Sequence, residues 1–271
     1  MENFLLPSKV EFQPGESEFM GSMIVMPCYY GYGTTLGNAY RRVLLSSLPG
    51  AAVEYFKIKG VQHEFSTIEG VKEDALEIML NLKQLAVKVF SDDPVTITLS
   101  KKGIGPVTAG DIEPNSNVEV INKDLVIANL TANKNFEMEI TVGRGRGYKP
   151  VEEKDKKSYD LGTIVIDSVY TPIKDVGYKV EYTRVGDVTN YEKLTLSIET
   201  NGTIAPEEAI RQSTEILMNH FTIILDGVKS GPVAPKAEMK EEEVAEAEES
   251  EEESGEEDEE KPKAIKKAKK K

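Results

Sequence analysis

The residues best placed to do chemistry lie between positions 31 and 54. Gly31, Gly33 and Gly37 stand where a strand-like segment runs into a helical one, and Glu54 follows about 20 residues later. Glycines in such a turn let backbone N–H groups approach a pyrophosphate, and an acid at that remove can take a ribose hydroxyl. Against a dinucleotide site, the last glycine falls one place too late, Glu54 sits in a strand pattern, and no βαβ repeat follows. A tight turn that lets the helix pack closely is the simpler reading of these glycines. Arg41-Arg42 offers different chemistry, since a guanidinium is a planar fork for carboxylates and backbone oxygens. Asn38 and Leu45 lie one helical turn to either side of Arg42, and this mixture suits docking onto another protein. A solvated helix face is the plain alternative. In Gly143–Pro150, Arg144, Arg146 and Lys149 would suit nucleic acid, although alternating glycines more simply mark a flexible loop with basic tips. His63 and His220 are far apart and lack a cysteine or acidic ligand pattern, so no metal site is expected. Nor does any serine–histidine–acid set or catalytic carboxylate pair stand out, and no self-contained active site is expected.

The elements that position these residues follow from periodicity. Thr34 to Leu48 reads as a helix, with Thr34 and Thr35 suited to cap it and Pro49-Gly50 to end it. Leu36, Ala39, Tyr40, Val43, Leu44 and Leu48 form its apolar stripe, leaving Asn38, Arg41, Arg42 and Leu45 outside. Two short strands precede it, Lys9–Phe12 and Ser22–Met26, with Gly15 in the turn between them. From Ala51 to about Val176 the chain is many short strands, including Val53–Ile58, Val95–Leu99 and Phe136–Val142. One helix interrupts them, Val71 to Leu82, with Val71, Ala75, Ile78, Met79 and Leu82 on one face. Lys154 to Ser158 reads as a solvated loop. Alternation returns from Val176 to Thr200, and a long helix then runs from Pro206 to about Leu225. Pro206 takes the favoured first position, and Glu207 and Glu208 complement the dipole. Ile210, Ser213, Leu217, Phe221 and Ile224 repeat at helical spacing.

The predicted class is therefore α+β. Residues 1–50 and 177–231 form one discontinuous unit of strands and two long helices, and residues 51–176 form an inserted β-rich domain. The few strands of the first unit cannot cover both helical stripes. A second copy would bury the excess through Leu36, Tyr40, Val43, Leu44 and Leu48 of one helix and Ile210, Leu217, Phe221 and Ile224 of the other. We therefore expect a dimerisation domain.

Composition narrows the class further. The chain has 271 residues, one cysteine, Cys28, and a net charge of −14. A lone cysteine excludes an intrachain disulfide and suits a reducing compartment. The first residues, Met1 to Phe4, lack the basic start and apolar run of a signal peptide, and no stretch approaches the ~20 apolar residues of a membrane span. A soluble cytoplasmic protein is expected. Residues 232–271 hold 15 acidic and 9 basic residues, which leaves −8 on the body. Such a body does not suit a free-standing DNA-binding module. Glu241–Glu260 is mostly glutamate and Lys261–Lys271 mostly lysine, so 232–271 is expected to be a disordered tail.

Five strings carry a resemblance: Gly31–Gly50, Asn81–Val87, Gly103–Ala109, Gly143–Pro150 and Glu199–Ile210. In this order, and across about Phe4 to Val228, they resemble the N-terminal domain of the bacterial RNA polymerase alpha subunit. The resemblance implies the same inserted arrangement, and a homodimeric scaffold that recruits the beta and beta-prime subunits for transcription. RNA synthesis and its magnesium would belong to those partners, with no catalytic residue or cofactor in this chain. DNA would be met only through the whole enzyme, with neither membrane nor small-molecule substrate involved. Arg42 matches the second arginine of the pair that grips beta, and Asn38, Arg41 and Leu45 would share that surface. Glu77, Lys83 and Ile166 match positions used by the large subunits. Lys83 is also explained by the helix dipole, and Ile166 by an ordinary place in a strand core. The Gly143–Pro150 loop would face partner subunits. Ala205 departs from the family's usual capping residue, at a cost of about 1 kcal/mol. The family usually adds a small helical domain for promoter DNA after a linker, which the charged sequence beyond Val228 does not resemble.

Overall fold

The computed structural model describes residues 5–154, 159–186 and 188–230. In chain order, β1 (Lys9–Pro14) and β2 (Met20–Cys28) lead into α1 (Tyr32–Ser46). Next come β3 (Pro49–Ile58), α2 (Ala75–Leu82), β4 (Val87–Val89), β5 (Val95–Lys102), β6 (Gly105–Thr108), β7 (Val118–Val120) and β8 (Val126–Leu130). The chain continues through β9 (Asn135–Arg146), β10 (Tyr148–Lys149), β11 (Thr163–Val165) and β12 (Ser168–Val169). It closes with β13 (Ile173–Val185), β14 (Val188–Thr200) and α3 (Pro206–Ser230). The architecture is a mixed α+β one, with several sheets and three α-helices among the described residues.

One antiparallel sheet has the order β1-β2-β14-β13, so the strands before α1 pair directly with those before α3. Met23, Val25, Leu194, Leu196 and Ile198 project from it to meet Leu44 of α1, Leu48 just beyond that helix, and Ala209 and Ile210 of α3 in one core cluster. A second sheet, β11-β3-β9-β5, carries a separate and larger cluster that includes Phe56, Ile78, Leu82, Ile97, Ile140 and Ile166. The chain crosses between the two at the α1–β3 junction and again at β12–β13.

Helix α1 starts two residues before Thr34, and neither threonine caps it. Gly31 is the N-cap in a left-handed conformation (φ 84°) with no side-chain cap of its own. The missing acceptor comes from β14: Glu192 accepts from Gly31 N–H at 3.0 Å and Gly33 N–H at 2.9 Å. A carboxylate at a helix N-terminus meets orphan donors and the positive end of the dipole together. Gly33 and Gly37 then let the helix lie on the sheet. A Cβ on Gly33 would stand 2.8 Å from the Glu192 carboxylate, and one on Gly37 2.6 Å from the Tyr178 ring. Glu192→Ala is expected to cost about 2 kcal/mol in a urea melt, because one buried and one partly buried donor lose their acceptor. An unchanged midpoint would mean that water replaces the carboxylate.

The other helices also differ from their sequence patterns. Val71 bridges to Leu130 as extended chain, and α2 begins only at Ala75, where Asp74 accepts from Glu77 N–H at 2.7 Å. Helix α3 runs five residues beyond Leu225, to Ser230. Pro49 and Gly50 do more than stop α1: they open β3, opposite Arg146 and Gly145. The tail reading of 232–271 and the loop residues 155–158 lie outside the described residues.

Candidate partner-binding surface

Asn38, Arg41, Arg42 and Leu45 all lie on the exposed side of α1, opposite the side held by Gly33, Gly37 and Leu44. Neither guanidinium is engaged in an ion pair among the described residues. Two free forks beside an exposed leucine, on a helix fixed from behind, form a rigid polar–apolar face.

This face continues into the second cluster. Gly147, at φ 63°, turns the chain tightly beneath the end of α1, where a Cβ would stand 3.1 Å from the Ser46 carbonyl. Beyond it β10 pairs with β12, leaving Tyr148 and Val169 exposed. Next to β12, Asp167 accepts from Lys83 Nζ at 2.8 Å and from Val151 N–H at 3.0 Å. Lys83 is thus committed to an ion pair that ties the end of α2 to the 147–170 region, besides standing at the negative end of that helix. Glu77 is exposed on α2 and flanked by exposed Leu76 and Leu80.

Ile166 does not belong to this surface. It is fully buried in the second cluster, so no partner reaches its side chain; strand alternation turns Ile164 and Ile166 inward and leaves Asp167 at the rim. Sequence reading missed Asp167, whose one signal was its place beside that inward-facing residue. Gly143–Pro150 is also corrected. Gly143 and Gly145 belong to β9, where Gly143 leaves room for the Glu54 carboxylate and Gly145 for the Tyr170 ring, and only Gly147 lies in the turn beyond it. The alternation is that of a strand with one side kept bare, and Arg144 and Arg146 take the other. Lys154, read as solvated, is buried.

The expected dimer residues divide into three groups. Leu44, Leu48 and Ile210 lie in this chain's own core and are corrected to core residues. Leu36, Tyr40, Val43 and Leu217 are half-buried, with Tyr40 hydroxyl 3.0 Å from Thr214 Oγ1. Phe221 and Ile224 are exposed at 60% each, within a run where Met218, Ile223, Leu225 and Val228 are also more than half exposed.

The nucleotide alternative loses its donors, since Glu192 already holds the Gly31 and Gly33 amides. Glu54 lies in the other sheet and accepts from Tyr170 hydroxyl at 2.7 Å. His63 contacts Ser66 Oγ and His220 the Ile216 carbonyl. Among the described residues, no three His, Cys, Asp or Glu side chains are grouped to hold a metal ion. No helix there is long and apolar enough to cross a membrane.

The Lys83 ammonium holds the Asp167 carboxyl below the usual carboxylate value of 3.8, helped by Val151 N–H. A depressed folded-state value gives stability that is present above pH 3.8 and lost as pH falls through the lower folded value. Asp167→Asn should therefore lower stability by about 1 kcal/mol at pH 7. In parallel thermal melts, the gap from wild type should close below pH 3.8. A gap of constant size across pH would show that charge plays no part.

Comparison with known proteins bears on the same regions. Residues 56–171 match the family described as the RNA polymerase Rpb3/RpoA insert domain. The DNA-directed RNA polymerase subunit alpha of Clostridium kluyveri is 52% identical over 205 residues, covering 76% of this chain and 65% of that protein. The corresponding subunit of Clostridium botulinum is 51% identical over 205 residues, with the same coverage. The match thus spans just under two thirds of the length of these relatives.

Proposed function

We propose that the chain is a member of the family of bacterial RNA polymerase alpha subunits, and that it is the homodimeric scaffold on which the beta and beta-prime subunits assemble. The observation that carries this reading is the outer half of α3, where Met218, Phe221, Ile223, Ile224, Leu225 and Val228 are all more than half exposed. Apolar runs of this kind mark surfaces that another chain covers. A second copy supplies the same run, and two-fold pairing buries both at once. The half-buried Leu36, Tyr40, Val43 and Leu217 lie at the edge of that contact. Residues 1–50 with 177–231 act as the pairing unit and 51–176 as the insert, a division supported by the two core clusters. The joints are shared: β3 already begins at Pro49, and Ile173 packs in the first cluster.

In this reading the free α1 face of Asn38, Arg41, Arg42 and Leu45 grips beta. Glu77 and the Lys83–Asp167 pair contribute a second contact with the large subunits. A symmetric dimer presents each face twice, so one copy meets beta and the other beta-prime. Nucleotide chemistry and its magnesium reside in those partners. Purification of the tagged full chain from its host, followed by mass spectrometry, should recover beta and beta-prime. A free nucleotide-binding protein without them would contradict the proposal.

A further inference from the structure

Between the two surfaces of the proposed scaffold lies a closed polar cluster. It begins at a bulge in β3, where Val53 faces Val142 and Tyr55 faces Thr141, so that Glu54 has no counterpart on β9. A bulged residue is re-aimed out of the ladder. Here the Glu54 carboxylate lies over the bare Gly143, and its carbonyl accepts from Ile166 N–H at 3.1 Å. The Tyr170 ring lies beside Gly145, with its hydroxyl on Glu54, while Tyr170 N–H donates to the Gly147 carbonyl at 2.8 Å. Ser168 Oγ donates to the Val53 carbonyl at 2.7 Å.

Lys154 closes the cluster. It is 7% exposed, and its ammonium donates to the Glu54 carbonyl at 3.0 Å, the Ile166 carbonyl at 2.5 Å and Ser168 Oγ at 2.6 Å. All three ammonium protons are therefore directed at acceptors within the protein. Those acceptors lie on β3 and on the 163–170 flank, whereas Lys154 belongs to the 147–154 flank. One side chain thus joins the 147–154 flank both to the strand behind it and to the 163–170 flank, which β11 already pairs with that strand. The charged neighbours are mixed: Glu54 and Asp167 favour the cation, while Lys149 and Lys83 oppose it. Burial is the largest influence and pushes the Lys154 ammonium down from its usual value. A cation held this way contributes little to overall stability, because its desolvation offsets its hydrogen bonds. What it supplies is position.

We infer that Lys154 is a positioning residue for the partner-binding surface: it pins Gly147–Lys154 to β3 and to Ile166–Ser168, which are already tied to β3 through β11, and so fixes Tyr148, Val169 and the Lys83–Asp167 pair relative to the end of α1. This rests on the scaffold reading above. Removing the ammonium leaves Glu54 carbonyl with Ile166 N–H and Ser168 with Val53, so only the Ile166 carbonyl loses its partner.

The test uses the full chain carrying Lys154→Met. Sedimentation and the thermal midpoint should match wild type, whereas hydrogen exchange at the Val151 and Glu153 amides, on the flank that Lys154 pins, should rise about 10-fold or more. Binding to purified polymerase beta should weaken about 10-fold. Faster exchange with undiminished binding would overturn the positioning role, and unchanged exchange would overturn the pin itself. Should Lys154→Met fail to fold, Ser168→Ala, which removes one of the three acceptors, gives the same readouts with a smaller effect, and its failure to loosen that flank overturns the inference. If wild type itself does not bind beta, the scaffold reading falls and this inference with it; if wild type binds and Lys154→Met binds equally, only this inference falls.

Discussion

Phe221→Glu should split the dimer into folded monomers, whereas Leu44→Glu should abolish folding. The two residues look alike in sequence, each on the apolar stripe of a long helix. Phe221 is 60% exposed within one chain, so a glutamate there is hydrated in the monomer and buried only by pairing. In the proposed dimer, two-fold symmetry would place the change in the interface twice, and each buried unpaired carboxylate costs several kcal/mol. A shift of the dimer–monomer equilibrium by about 4 kcal/mol or more, roughly a thousandfold, is expected. Sedimentation would then show monomers at micromolar concentration, with circular dichroism like that of wild type. Leu44 is fully buried against Leu194, Leu196 and Ile210 in the same cluster. A carboxylate there is opposed to the whole first core, and about 5 kcal/mol is the entire stability of many domains. A Phe221→Glu chain that still sediments as a dimer would place the pairing surface elsewhere.

Arg42→Ala separates assembly from folding. The guanidinium is exposed, lies outside both clusters, and forms no ion pair among the described residues, so its loss should leave the melting midpoint and the proposed dimer unchanged. If it forms the centre of the contact with beta, truncation should cost about 2 kcal/mol, or roughly 30-fold in affinity. Binding equal to wild type would reduce Arg42 to a surface charge. Loss of folding would contradict its exposed position.

The features legible in the sequence were those with a short period. Leu36, Tyr40, Val43 and Leu44 set the inner side of α1, and their complement, Asn38, Arg41, Arg42 and Leu45, is its outer side. Features that depend on distant residues were not legible. The acceptor that starts α1 is Glu192, 161 residues from Gly31, so nearby threonines looked like the cap. Val71 fits the apolar side of α2 by spacing, yet the Asp74 cap and the bridge to Leu130 keep it out of the helix. Gly143 and Gly145 looked flexible because their reason for being bare lies on Glu54 and Tyr170. Lysine at 154 read as solvated for the same cause: its acceptors come from β3 and from beyond residue 163. Ile166 shows the opposite limit, where matching a family position does not make a side chain accessible.

The scaffold account is tested most directly by native mass spectrometry of the full chain mixed with purified polymerase beta subunit. It predicts a dimer of this chain in the absence of beta, and a complex of two copies with one beta when beta is added. A folded monomer that binds no beta at micromolar concentration would contradict it.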